Sequence, residues 1–167
     1  MTSAAARLKT LIGAVRIEDV RLVKAAVSTS VRSAEEVGPV TFQVKPAAKA
    51  GKRLSDGTFF VTATVDTLLR ESGGRRRVAA DISGCFELRY KADTKVRTTQ
   101  KDLQAFAEVN AVYNAWPYWR EFIQNMFVRM SLPPLVLPVY RVTDAARQPA
   151  AEAARAKRKH RAVSGEG

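Results

Sequence analysis

The sequence predicts a single α+β domain, a four-stranded antiparallel sheet followed by helices packed on one of its faces. Two observations carry this expectation. Val78, Ala80, Ile82, Gly84, Phe86, Leu88 and Tyr90 occupy every second place, with Ala79, Asp81, Ser83, Cys85, Glu87 and Arg89 between them. That is the period of a strand with one buried face. After Lys91 the period becomes helical: Trp119, Phe122, Ile123, Met126, Phe127 and Met130 form a wide apolar stripe opposite Arg120, Gln124 and Asn125. Strands come first and helices last, and no internal repeat is visible.

The remaining elements follow in order. Leu8, Leu11, Ile12 and Val15 fall on one helical face, which predicts a short amphipathic helix over residues 3–15. Residues 17–31 read as a strand, with Val20, Leu22, Val27 and Val31 among Arg21, Lys24, Ser28 and Ser30. Gly38-Pro39 opens a second strand in which Val40, Phe42 and Val44 alternate with Thr41, Gln43 and Lys45. A polar loop over 49–57 leads to a third strand, 58–70, with Phe59, Val61, Ala63, Val65 and Leu69 on one face. Gly73-Gly74 supplies the positive φ angles of a hairpin before the fourth strand. Four strands joined by turns and loops predict an antiparallel meander.

The helical half begins at 101–113, where Leu103, Phe106, Ala107, Val109 and Val112 are apolar. Asn114 is placed to cap a second helix, with Pro117 in its first turn, and that helix runs to about 131. Pro133-Pro134 ends it, and Pro134 and Pro138 force residues 135–140 to be extended. Beyond 143 the chain is alanine-rich and charged, interrupted by Pro149, which predicts a mobile tail. The expected division is an amphipathic segment at 1–15, one domain at 16–142 and a tail at 143–167.

The totals narrow the function. A chain of 167 residues, 46% of them hydrophobic, buries roughly 70% of its unfolded surface and is not disordered as a whole. No apolar run approaches the eighteen or so residues that span a bilayer, and residues 1–15 lack the continuous apolar core of a secretory signal. The single cysteine excludes an intrachain disulfide and suits a reducing compartment, so a cytoplasmic location is expected. The net charge of +12 is spread over body and tail. It favours polyanions, acidic clients or a membrane surface, or serves solubility alone.

Catalytic chemistry finds no footing. The only histidine, His160, sits in the basic tail, away from any candidate triad or metal-ligand set. Cys85 has no histidine or second cysteine near it in sequence and reads as an inert strand residue. No phosphate-binding glycine motif is present. Gly73-Gly74 followed by Arg75, Arg76 and Arg77 offers amides beside guanidinium charge, yet a hairpin with a solvated basic flank describes it better. Arg120-Glu121, inside an apolar helix, reads as a structural pair at an interface rather than as catalytic machinery. The expectation is a protein that is no enzyme and carries neither metal nor cofactor.

One stretch is more specific. It opens with Trp116-Pro117-Tyr118-Trp119-Arg120-Glu121, continues through an apolar helix, and closes with Leu132-Pro133-Pro134-Leu135-Val136-Leu137-Pro138. This resembles the SecB family of protein-export chaperones, in particular its SecB-like branch. Val15-Arg16-Ile17-Glu18-Asp19-Val20-Arg21-Leu22 is similar to that family's first strand, and the resemblance covers roughly 15–142. It implies an ATP-independent holdase that binds unfolded or precursor polypeptides, assembled as a homotetramer, a dimer of dimers with the long helices at its centre. Client grooves would be lined by sheet, long helix and the loop after it. On that basis Phe122, Met126, Met130, Leu132, Leu135, Leu137, Val139 and Tyr140 are expected to contact client. Trp116, Tyr118, Trp119, Arg120, Glu121, Ile123 and Phe127 are expected in the core or an oligomer interface.

Two features depart from the family pattern. SecB proteins are acidic, which helps them contact the export motor SecA, whereas this chain is basic. The apolar helix that lids the groove in typical members is replaced by an alanine-rich stretch. Both departures point to a dedicated client, such as the unstable antitoxin that some members of the branch hold. Two other classes compete: a basic nucleic-acid-binding module, for which no aromatic stacking platform stands among the basic residues, and a structural oligomer subunit that binds no client.

Overall fold

The computed structural model describes residues 4–32, 35, 38–71 and 77–140. The Gly73-Gly74 turn, Arg75, Arg76 and the 143–167 tail with His160 lie outside the described residues. The elements are α1 (Ala4–Ala14), β1 (Val15–Thr29), β2 (Val40–Ala50), β3 (Thr58–Glu71), β4 (Val78–Ala92), α2 (Gln100–Phe106), a π-type turn Ala107–Ala111, and α3 (Val112–Arg129). After the short α1, four strands precede the longer helices, which makes the expected α+β arrangement.

The sheet is antiparallel throughout, but its order is β1-β4-β3-β2. The meander therefore holds for β2, β3 and β4, while β1 crosses to the far side of β4 instead of pairing with β2. Alternation gives β4 two partners of equal quality, and only the tertiary fold decides which strand takes each side. The inward residues of β3 and β4, from Phe59 and Val61 through Leu88 and Tyr90, are buried. Phe59, Tyr90 and Phe106 meet as an aromatic cluster, with Phe59 and Tyr90 stacked at 5.3 Å.

β1 contains two register shifts, between Ile17 and Asp19 and between Leu22 and Lys24. Each adds one residue, and the effect is to keep Ile17, Val20, Leu22, Ala25 and Val27 opposite the inward-facing Tyr90, Leu88, Phe86, Gly84 and Ile82. Without the bulges, simple alternation from Ile17 would carry Val20 and Leu22 to the outer face. Even so, Ile17, Leu22 and Val27 stay half exposed, because the helices cover the other strands rather than β1.

At the other end of the sheet, Gly57 has a φ of +89°, and a Cβ there would lie 2.2 Å from the Ala92 carbonyl oxygen. Its own carbonyl accepts the Ala92 amide at 3.0 Å, which closes the β3–β4 end. α2 starts at a capping box. The Asp102 amide donates to the Thr99 hydroxyl at 3.2 Å and the Thr99 amide donates to the Asp102 carboxylate at 3.0 Å. The Thr99 amide and hydroxyl, with Arg7 behind them, hold the Asp102 carboxyl below its usual range. This depressed group stabilises the fold above about pH 4, and its contribution is lost as pH falls through its folded-state value.

The helices correct one expectation. Asn114 does not cap a new helix and Pro117 does not lie in a first turn. The chain stays helical from Gln100 to Arg129, and the π-type turn at Ala107–Ala111 takes up one extra residue, so that both Ala107 and Ala111 remain buried. Asn114 instead donates from Nδ2 to the Tyr90 hydroxyl at 3.0 Å. Burial pushes the Tyr90 hydroxyl up to about 12, so it stays protonated at neutral pH.

α3 rests on the sheet at Gly84. A Cβ on Gly84 would come within 2.6 Å of the Trp119 ring, and Trp119 is fully buried with its indole N–H donating to the Thr67 hydroxyl at 3.3 Å. Glycine is needed there for space, not for backbone freedom. Gly84→Ala is expected to lower unfolding free energy by about 1–3 kcal/mol in a denaturant titration. Gly13→Ala in α1, with nothing within 4 Å of its Cβ, is expected to leave stability unchanged or raise it by up to about 1 kcal/mol.

Candidate functional site

The site grows from how α3 ends. Ser131 adopts a φ of 53°, its amide donates to the Val128 carbonyl at 3.1 Å, and the Leu132 amide donates to the Phe127 carbonyl at 2.9 Å. This pair of bonds is a Schellman motif, and it turns the chain back beside the helix it has just left. Leu132 and Phe127 are both buried, which supplies the motif's apolar contact. Pro133, Pro134 and Pro138 then keep residues 132–140 out of any helix.

The returning segment is tied at its far end. The Trp116 indole N–H donates to the Pro138 carbonyl at 2.8 Å, and the Trp116 and Tyr140 rings sit 5.0 Å apart. Between this segment and the sheet edge an apolar cleft of about 250 Å³ opens, lined by Phe42, Val44, Pro46, Trp116, Pro138, Val139 and Tyr140. No carboxylate, amine, imidazole or thiol lines it. Such a cleft suits apolar side chains, held by area and shape.

The sequence-expected client residues divide. Leu132, Leu137 and Tyr140 are buried within the chain, and Leu137 is wholly inaccessible. Phe122, Met126, Met130 and Leu135 are partly buried and packed against the core. Val139 is the one that opens fully to solvent, at 66% exposure, beside the unexpected Val136 at 67%. Within the single chain, Leu137 therefore serves as core.

The residues expected at core or interface divide as well. Trp116, Trp119, Ile123 and Phe127 are buried, whereas Tyr118 and Glu121 are exposed. Trp119 packs edge-on to Phe86 at 6.4 Å and stacks on Phe122 at 5.6 Å. Arg120 is half-buried, and its Nε has no hydrogen-bond partner among the described residues.

Sequence reasoning missed one wall of the cleft, made by Phe42, Val44 and Pro46 of β2. The signal was Pro46: a proline paired within a strand marks a sheet edge, because it has no N–H to give to a further neighbour. A larger open cleft of about 520 Å³ lies between the end of α1 and the β4 terminus. Two of its charged groups pair with each other: Lys91 donates to Asp56 at 2.6 Å and holds that carboxyl well below its usual range. Arg77, the described member of the arginine run, donates to the Ser30 carbonyl at 2.6 Å. Among the described residues no helix is long and apolar enough to cross a membrane.

A four-stranded antiparallel sheet followed by a long helix matches the α+β fold of a SecB-like protein. The SecB-like chaperone Rv1957 of Mycobacterium tuberculosis, solved with a ChAD peptide from the antitoxin HigA1, superposes with a TM-score of 0.67 at 19% identity. The match covers 81% of this chain and 97% of that one. A protein of unknown function from Streptococcus agalactiae matches at a TM-score of 0.45 and 10% identity, over 74% of this chain and 96% of that one. No family model and no curated protein sequence matches the chain. The likeness to the M. tuberculosis protein establishes a shared fold.

Burial separates the two kinds of residue in the 132–140 segment. Leu137→Ala is expected to cost about 2–5 kcal/mol in denaturant unfolding, while Val139→Ala changes stability by no more than about 0.5 kcal/mol.

Proposed function

We propose that this chain is an ATP-independent holdase that binds unfolded polypeptide through the cleft between β2, Trp116 and the Pro138–Val139–Tyr140 stretch. The observation that supports this most is the cleft itself. It is apolar, open and walled by β2, α3 and the 138–140 stretch, its Phe42 and Val139 are exposed, and Val136 close by in the chain is exposed too. Solvent-facing apolar surface of this kind is maintained for binding, since otherwise it promotes aggregation. A site without fixed polar partners discriminates weakly among sequences, as a chaperone requires.

The assembly proposed is a homotetramer. The half-exposed Ile17, Leu22 and Val27 on the inward face of β1, with exposed Tyr113 and Tyr118 on α3, leave apolar surface that a second copy would cover. Release is by transfer or by client folding, and the proposed location is the cytoplasm. A dedicated client such as an antitoxin is favoured over service to SecA. By register, the outer face of the sheet carries Arg21, Lys24, Lys45, Lys49, Arg70 and Arg89 against Asp19, Asp66, Asp81 and Glu87. That mixture is not the acidic surface associated with SecA docking. The antitoxin peptide held by the M. tuberculosis neighbour supports the same preference.

The test is suppression of aggregation of a chemically denatured client, without nucleotide and at stoichiometric amounts. The proposal expects suppression by the native chain, and its loss in Val139→Asp with mass and unfolding midpoint unchanged. A folded oligomer that suppresses nothing contradicts it.

A further inference from the structure

We infer that the occupant of the cleft is an extended peptide that adds to the sheet as a fifth strand along β2, at Phe42 and Val44. This rests on the holdase reading and specifies how its site binds. β2 is an edge strand, paired only with β3. At its C-terminal end the direction of its backbone groups is visible. The Gly51 amide donates inward to the Phe60 carbonyl at 2.8 Å. The Ala50 amide accepts no place in that ladder and instead donates outward to Gln104 Oε1 at 3.0 Å, while Gln104 Nε2 donates to the Ala48 carbonyl at 2.9 Å. Gln100 Nε2 donates to the Ala50 carbonyl at 3.0 Å.

Antiparallel pairing alternates these directions residue by residue, so the even-numbered positions of β2 present N–H and C=O away from β3. At Ala48 and Ala50 two glutamine side chains from α2 occupy groups that a neighbouring strand would otherwise take. Pro46 offers a carbonyl and no donor. Phe42 and Val44 present both groups, and no described residue meets them. The same two residues point their side chains into the apolar cleft.

The coincidence of these features selects the ligand. Two donors and two acceptors stand about 7 Å apart along one line, the repeat of an extended chain and not of a helix. Beside them lies a groove for every second side chain. An added strand reads main chain along the edge and apolar groups in the pocket, which suits unfolded polypeptide of varied sequence. Pro46 and the glutamines end the open register, so the contact is short. On the opposite face Lys45 is exposed and forms no ion pair of 4.0 Å or less with a described residue. The matching peptide therefore alternates apolar residues with polar ones that include an acidic group, in keeping with the net charge of +12.

The probe is a fluorescein-labelled nine-residue peptide alternating valine or leucine with threonine and glutamate. Two further versions carry N-methyl groups on one or the other alternate set of amides. With the full chain, strand addition expects one methylated version to bind at least roughly tenfold more weakly than the parent. It also expects hydrogen exchange at the Phe42 and Val44 amides to slow when the parent binds. Equal binding by all three peptides, weakened alike by Val139→Asp, overturns strand addition and leaves the groove reading standing. Phe42 and Val44 amides already protected in the free chain also overturn it, since the chain's own residues would then cover the edge. Failure of every version to bind, by a chain that also suppresses no aggregation, overturns both.

Discussion

The contact between Trp119 and Gly84 is the joint on which the rest of the molecule depends. A strand residue without a Cβ leaves a notch in the inward face of β4, and the Trp119 ring of α3 fills it. Dispersion at this density is sensitive to a single methyl group, so the contact fixes the height and rotation of α3 above the sheet. Trp116 lies one turn back on the same helix. Its indole N–H therefore reaches the Pro138 carbonyl only if Trp119 is seated, and the far wall of the cleft hangs on that bond. The order of dependence runs from Gly84 to Trp119, to Trp116, to the 132–140 segment, and to the cleft.

The inward faces of β3 and β4 were legible because burial on one side imposes a period of two, which residues 59–69 and 80–90 follow although Thr67 faces inward and Phe60 outward. β1 was legible as a strand but not in its position or phase. Its two bulges break the period, and strand order is a matter of distant contacts that no local pattern contains. The helix boundary was misread at Asn114 and Pro117 for a related reason. Both are good start signals, yet packing of Ala107, Ala111 and Ala115 against the sheet keeps the chain helical through them. Propensity is the weaker force wherever burial disagrees with it.

The cleft was half legible. Its proline-bearing wall stands in one continuous stretch of sequence, and the resemblance to SecB-like proteins rests on that stretch. Its other wall comes from β2, some seventy residues earlier, and had no mark except Pro46. Nor could sequence tell Leu137 from Val139. The two are two places apart, where simple alternation would put them on one side, yet one is in the core and the other at the surface, because the segment's burial does not follow a period of two.

A cleft of this make is suited to weak, repeated binding. Each apolar side chain buried contributes on the order of 1.5–3 kcal/mol before the cost of ordering the client. In the proposed oligomer, several clefts engaging one chain would supply the useful affinity that a single copy lacks. The most direct measurement is an amide and methyl NMR titration of the full chain with a permanently unfolded polypeptide, such as a reduced and carboxymethylated protein. The account predicts perturbations centred on Phe42, Val44, the Trp116 indole and Val139. Perturbations confined to the outer face of the sheet, at Phe60, Thr62 and Cys85, would contradict it.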